Sequence, residues 1–139
     1  LAWERLSCAF SGAVAMQRAV ELTVEYVKQR EAFGKKLIEF QNTQFKLAEA
    51  KTQSQIARIY LDELIVRLLD GKLDPTSAAM AKLWTTETQC RVIDECLQFF
   101  GGYGYMMEYP IARLYADARV QKIYAGSNEI MKLLIARSL

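Results

Sequence analysis

The chain has only two prolines and seven glycines in 139 residues, so little in it interrupts a helix. Where breakers are this sparse and apolar residues recur at spacings of three and four, long amphipathic helices are the default. A first helix is predicted from about Trp3 to Arg30, with Leu6, Phe10, Val14, Ala15, Val20, Val24 and Val27 on its apolar side. Phe33-Gly34 is its expected C-cap. A second is predicted from about Phe40 to Leu69, carrying Leu47, Ile56, Tyr60, Leu64, Ile65 and Leu68, and Gly71 closes it. Asp74-Pro75 reads as an N-cap followed by a first-turn proline, opening a third helix to about Phe100. Ala78, Ala81, Trp84, Val92, Cys96 and Phe100 line that helix, and its inward alanines imply close packing. Two shorter helices follow, from about Pro110 to Ala118 and from about Ser127 to Ala136. Three long helices with short loops and a C-terminal pair predict an all-α, up-and-down bundle of the four-helix type. It spans residues 1–139 as one domain. There is no strand alternation of useful length, no internal repeat and no low-complexity segment.

Composition narrows the function classes. A hydrophobic fraction of 52% with 24% charged residues is a globular profile. A net charge of +2 points to neither nucleic acid nor an anionic membrane as partner. The absence of histidine removes histidine metal sites and Ser-His or Cys-His nucleophile pairs from this chain. Cys8, Cys90 and Cys96 are odd in number and form no CxxC, so neither a metal site nor a disulfide framework is expected. They read as reduced core residues of an intracellular protein. No apolar run reaches membrane-spanning length, and the start has no signal-peptide pattern. Beginning at Leu1 and turning helical at once, the chain reads as a piece of a longer protein.

Chemistry concentrates in a few segments. Residues 101–131 combine a glycine-rich turn at Gly101, Gly102 and Gly104 with a Gly126-Ser127 helix start, where free N–H groups meet an anion or a carbonyl. The same residues fit a plain C-cap and loop. Around residues 27–36, Lys28, Arg30, Lys35 and Lys36 fit a solvated helix end or a pyrophosphate site with Arg30 as its fork. Gln41, Gln44 and Gln98 are equally two-sided, and Glu4, Glu31, Glu39, Glu108 and Glu129 compete as candidate bases. From the residues alone, the reading stops at a helical bundle with two glycine-bearing turns.

Taken together and in order, these segments resemble the C-terminal helical domain of the acyl-CoA dehydrogenase flavoenzymes. The resemblance runs through ER at 4–5, YVKQREAFGKK at 26–36, FQNTQFKLAE at 40–49, LQFFGGYGYMMEYPIARLYADAR at 97–119 and KIYAGSNEIMKLLIAR at 122–137. No piece is specific by itself; the ordered set is. The family oxidises an acyl-CoA thioester to the trans-2-enoyl-CoA: a carboxylate removes the α-proton while the β-hydrogen leaves as hydride to FAD. Such chemistry needs a base at Cα and donors to the thioester carbonyl.

The resemblance implies specific roles. Many relatives carry the base as a Glu directly after the Tyr of a YEGT-like motif, and this chain has Ala125 there. In isovaleryl-CoA and long-chain members the Glu instead enters the first helix of the domain, where this chain has Glu4. Glu4 is therefore the implied catalytic base, and the Ala125 N–H remains a donor to the thioester carbonyl. Arg5, Tyr124, Ala125 and Gly126 fall at positions lining the acyl-CoA site. Arg30 matches the arginine that reaches the FAD diphosphate of a neighbouring subunit, and Phe33 and Gln41 match contacts in the same region. Gln98, Gly101 and Gly102 match the turn along the adenosine part; Ser127 and Glu129 match a Thr and a Gln that touch the cofactor in relatives. The implied partners are an acyl-CoA, an electron-transferring flavoprotein and further copies of the chain in a homotetramer or dimer. The implied compartment is the cytoplasm of a bacterium or the mitochondrial matrix. Two alternatives stand beside this reading: an acyl-CoA oxidase-like domain, and a non-catalytic oligomerisation bundle.

Overall fold

The computed structural model describes all of residues 1–139. Five helices carry the fold: α1 (Ala2–Gln29), α2 (Gln41–Leu69), α3 (Pro75–Phe100), α4 (Pro110–Ala118) and α5 (Asn128–Ala136). The all-α bundle expected from the breaker pattern is what forms, with α3 at its centre, packed against α1, α2, α4 and α5. Asp74 caps α3 as its sequence implies, its carboxylate accepting from the Ser77 N–H at 2.8 Å and the Ser77 hydroxyl at 2.6 Å. Pro75 follows at the first helical position, where no N–H is needed.

The core explains why α1 and α3 lie so close. Ala9, Ala13, Ala19, Ala50, Ala57 and Ala81 alternate with Leu6, Met16, Leu61, Leu64 and Ile93 in one buried cluster. At Gly12 a Cβ would come within 2.7 Å of Gln89 Oε1, so a larger residue there would have to displace the Gln89 side chain from the α1–α3 contact. The predicted apolar faces are only half right: Val14, Ile56 and Trp84 lie on the surface, while Ala9, Met16 and Leu61 are fully buried. Periodicity locates a helix more securely than it locates the centre of its buried stripe when alanine supplies much of that stripe.

Phe33-Gly34 is not a helix cap. Helix α1 stops at Gln29 with Arg30 extended, and the chain then makes a miniature hairpin of β1 (Glu31–Ala32) and β2 (Lys35–Lys36). Phe33 (φ 54°) and Gly34 (φ 81°) form its two-residue turn, with both residues left-handed as a type I′ turn demands. A short 3₁₀ turn, Leu37–Glu39, then leads into α2, with the Glu39 carboxylate accepting from the Lys36 N–H at 2.7 Å. No helix is long and apolar enough to cross a membrane.

Candidate active site

Two clefts collect Glu4, Tyr124 and Ala125 in one and Arg30, Gln98, Gly101 and Gly102 in the other. The first, about 560 Å³, is lined by Glu4, Ser7, Cys8 and Ser11 on one face of α1 and by Tyr124 and Ala125 from the far end of the chain. Spacings of three, four and seven put the α1 residues in one stripe. The Cys8 thiol fastens that stripe to the 3₁₀ turn Arg119–Lys122 through sulfur contacts with the Gln121 side-chain oxygen at 3.5 Å and backbone oxygen at 3.7 Å. Burial pushes the Cys8 thiol up, against the opposing effect of Lys82, and so keeps it a donor. Burial likewise raises the Tyr124 phenol, with Cys8 and Asp117 acting in the same sense.

The segment entering α5 is conformationally unusual. Ala125 (φ 54°) and Gly126 (φ 87°) are both left-handed, and for alanine that conformation is strained. The N–H groups of Ala125, Gly126 and Ser127 donate to no acceptor within the chain. Ala125 alone of the three lines the Glu4 cleft, with Gly126 and Ser127 outside its lining, and a free N–H there suits a carbonyl oxygen that gains negative charge.

The inner side of this turn is held by a buried polar network. Lys82 on α3 has no exposed surface, and its ammonium donates to the Gly126 carbonyl at 2.8 Å and to Asn128 Oδ1 at 2.9 Å. The Asn128 amide in turn donates to Thr86 Oγ1 at 3.0 Å and to Glu87 Oε1 at 2.9 Å. Glu87 is paired with Lys122 at 2.7 Å, and hydrogen bonds from Lys122 and then Asn128 hold its carboxyl low. Burial lowers Lys82, while Cys8, Glu129 and Glu87 draw it back up.

The second cleft, about 520 Å³, brings together Arg30, Gln98, Gly101 and Gly102 with Tyr26 and Tyr103. Three of its rings are joined through Tyr109, which lies outside the lining: Tyr26 stacks on Phe100 at 4.2 Å, Phe100 meets Tyr109 edge-on at 6.2 Å, and Tyr109 stacks on Tyr103 at 5.1 Å. The Arg30 guanidinium lies 5.9 Å from the Tyr103 ring centroid and pairs with no carboxylate of the chain. A Cβ built at Gly101 or Gly102 would meet no atom within 4 Å, so bare backbone faces open space beside a free guanidinium. That combination fits a diphosphate-bearing group such as FAD.

Other predicted residues stand apart from these clefts. Arg5 is half-buried outside the first one, with its Nε unpartnered. Phe33 sits 96% exposed at the hairpin tip with only an edge contact to Phe40, 6.4 Å between centroids. Gln41 is exposed at the start of α2. Ser127 and Glu129 stand at the start of α5, the Glu129 carboxyl held low by its own backbone N–H and then by the Ser127 hydroxyl. A third cleft of about 490 Å³ between α3 and α4, lined by Glu87, Arg91, Asp94, Arg119 and Lys122 among others, holds none of the predicted site residues.

Over residues 1–139 the chain matches the family model described as "Acyl-CoA dehydrogenase, C-terminal domain". The chain belongs to the acyl-CoA dehydrogenase family. It is 50% identical over 136 residues to the mitochondrial long-chain specific acyl-CoA dehydrogenase of Mus musculus, covering 98% of this chain and 32% of the mouse protein. Among solved structures it superposes on an acyl-CoA dehydrogenase from Geobacillus kaustophilus with a TM-score of 0.94 at 49% identity, over 97% of this chain and 36% of that one. It superposes likewise on butyryl-CoA dehydrogenase from Megasphaera elsdenii, with a TM-score of 0.92 at 38% identity, over 96% and 35%. The chain thus spans about a third of the length of these relatives.

Sequence reasoning missed the Lys82–Asn128 network entirely. One signal was available: Lys82 shares a helical face with Ala78, Thr86 and Gln89, all of them buried.

Proposed function

We propose that this chain is the C-terminal helical domain of a longer FAD-dependent acyl-CoA dehydrogenase, with Glu4 as its catalytic base. The observation that carries the reading is the convergence of Glu4 with Tyr124 and Ala125 in one cleft, from opposite ends of the chain. It supplies a carboxylate beside a turn of unoccupied donors, although Ala125 itself bears none. In this reading the Ala125 N–H donates to the thioester carbonyl oxygen and stabilises the negative charge that builds there as the α-proton leaves. Glu4 takes that proton, and Arg5, Tyr124 and Gly126 belong to the acyl-CoA site. When bound, FAD supplies the acceptor for the β-hydrogen, which departs as hydride. Arg30 would hold the FAD diphosphate of a neighbouring subunit, and Gln98, Gly101 and Gly102 would hold its adenosine part. Phe33, Gln41, Ser127 and Glu129 complete the contact.

A cofactor shared between subunits requires an assembly. Phe45, Ile56, Ile59, Val66 and Leu69 are exposed on α2 with spacings of three, seven and eleven, one apolar face suited to a second copy. We assign the full enzyme to a homotetramer that passes electrons to an electron-transferring flavoprotein. It works in the cytoplasm if bacterial and in the mitochondrial matrix if eukaryotic. The deciding experiment is Glu4→Gln in the full-length enzyme: dehydrogenation falls by roughly 10²–10⁴ with FAD still bound. Undiminished activity would leave the non-catalytic bundle as the better reading, and stoichiometric peroxide from the wild type would favour the oxidase.

A further inference from the structure

We propose that Lys82 is a positioning residue for the thioester site, locking the Ala125–Gly126 turn so that Ala125 stays in place at the Glu4 cleft. The inference rests on the dehydrogenase reading above. Its starting point is a conflict in the turn itself. Two successive left-handed residues, one of them alanine, do not hold such a conformation unaided. Something must over-determine it, and the ammonium does so at two points, the Gly126 carbonyl and the Asn128 side chain. Both anchors lie on the α5 side of the turn, at its second residue and two residues beyond.

The direction of the grip matters as much as its strength. With its oxygen drawn onto Lys82, the Gly126 carbonyl is satisfied from the inner side and cannot point its negative end at a carbonyl oxygen bound outside. The same pull polarises the Gly126–Ser127 peptide and makes the Ser127 N–H a stronger donor. Lys82 forms no ion pair with any carboxylate, so its charge is not spent locally. Burying an ammonium this fully is unfavourable unless it is well hydrogen-bonded, and a core position in an alanine-rich helix would ordinarily hold an apolar residue. The Asn128–Glu87–Lys122 links carry the anchorage on to the turn that Cys8 ties to α1, the helix bearing Glu4. Base and donors are thereby referenced to one another through α3.

The test uses the full-length FAD-loaded enzyme with butyryl-CoA, octanoyl-CoA and palmitoyl-CoA, comparing wild type, Lys82→Met, Asn128→Ala and Glu4→Gln. Lys82→Met lowers kcat per bound FAD by about tenfold to a hundredfold, short of the 10²–10³ lost with an oxyanion donor itself. KM moves by less than about threefold, the signature of an interaction realised in the transition state. Asn128→Ala, which leaves the Lys82–Gly126 bond in place, gives a smaller loss in the same direction and serves if Lys82→Met does not fold. A purely structural lysine predicts reduced FAD content and a lower melting temperature with kcat per bound FAD unchanged, and that result overturns the proposal. If Glu4→Gln is inactive while both network variants keep wild-type kcat, the positioning role alone falls. If Glu4→Gln is fully active, the underlying reading falls with it.

Discussion

Phe33 poses a sharp trade-off between stability and function. It adopts φ 54° in a two-residue hairpin turn and leaves 96% of its surface exposed, so it is unfavourable on both counts. A left-handed conformation costs an ordinary L-residue about 1–2 kcal/mol, whereas asparagine tolerates it, and Asn-Gly is the preferred type I′ pair. Phe33→Asn should therefore stabilise the hairpin by about 1 kcal/mol, worth a few degrees of melting temperature in a domain of this size. The function proposed for Phe33 is contact with cofactor. Covering a phenylalanine side chain contributes about 2 kcal/mol, so its loss should raise the FAD dissociation constant by about thirtyfold. The assay is flavin titration of the full-length apo-enzyme, with melting of the same apo-protein measured alongside. The expected pair of results is a higher apo melting temperature and weaker FAD binding. An unchanged FAD affinity would refute the assignment of Phe33 and leave its strained exposure without a purpose.

Gly104→Ala places a Cβ 2.8 Å from the Leu97 carbonyl oxygen and 2.9 Å from Leu97 Cγ, against backbone that cannot give way freely. It should destabilise the domain by about 1–3 kcal/mol, read as a lower urea midpoint. Asp74→Ala removes the N-cap of α3 at a cost of about 1 kcal/mol at neutral pH. The Ser77 hydroxyl, and after it the Ser77 N–H, hold the Asp74 carboxyl below its usual range. Its stabilisation is thus present above the unfolded value near pH 4 and is lost as pH falls through the lower folded value. Urea midpoints of wild type and Asp74→Ala should differ at pH 7 and converge toward pH 3; a constant gap counts against the cap.

The helices were legible because their signals are local. Asp74-Pro75 and Pro110 mark helix starts through backbone chemistry that needs no tertiary partner. Phe33-Gly34 was misread as a cap because a left-handed pair serves a helix end and a hairpin turn equally, and cross-strand pairing decides between them. The Glu4–Ala125 convergence had no local signature; the ordered resemblance pointed to it, and the fold places both residues on one cleft. Lys82 escaped notice because a lysine is read as surface by default and because its partners lie more than forty residues further along the chain, |i−j| 44 and 46. Residues whose role depends on distant backbone carbonyls are the ones a sequence conceals best.

Anaerobic single-turnover reduction of FAD in the full-length enzyme tests the role of Glu4 most directly. Mixed with excess acyl-CoA, the Glu4→Gln enzyme should retain its flavin and bind the thioester. Its flavin absorbance should bleach roughly 10²–10⁴ times more slowly than in wild type. Bleaching at the wild-type rate would contradict the assignment of Glu4, the one carboxylate of this chain that lines the cleft.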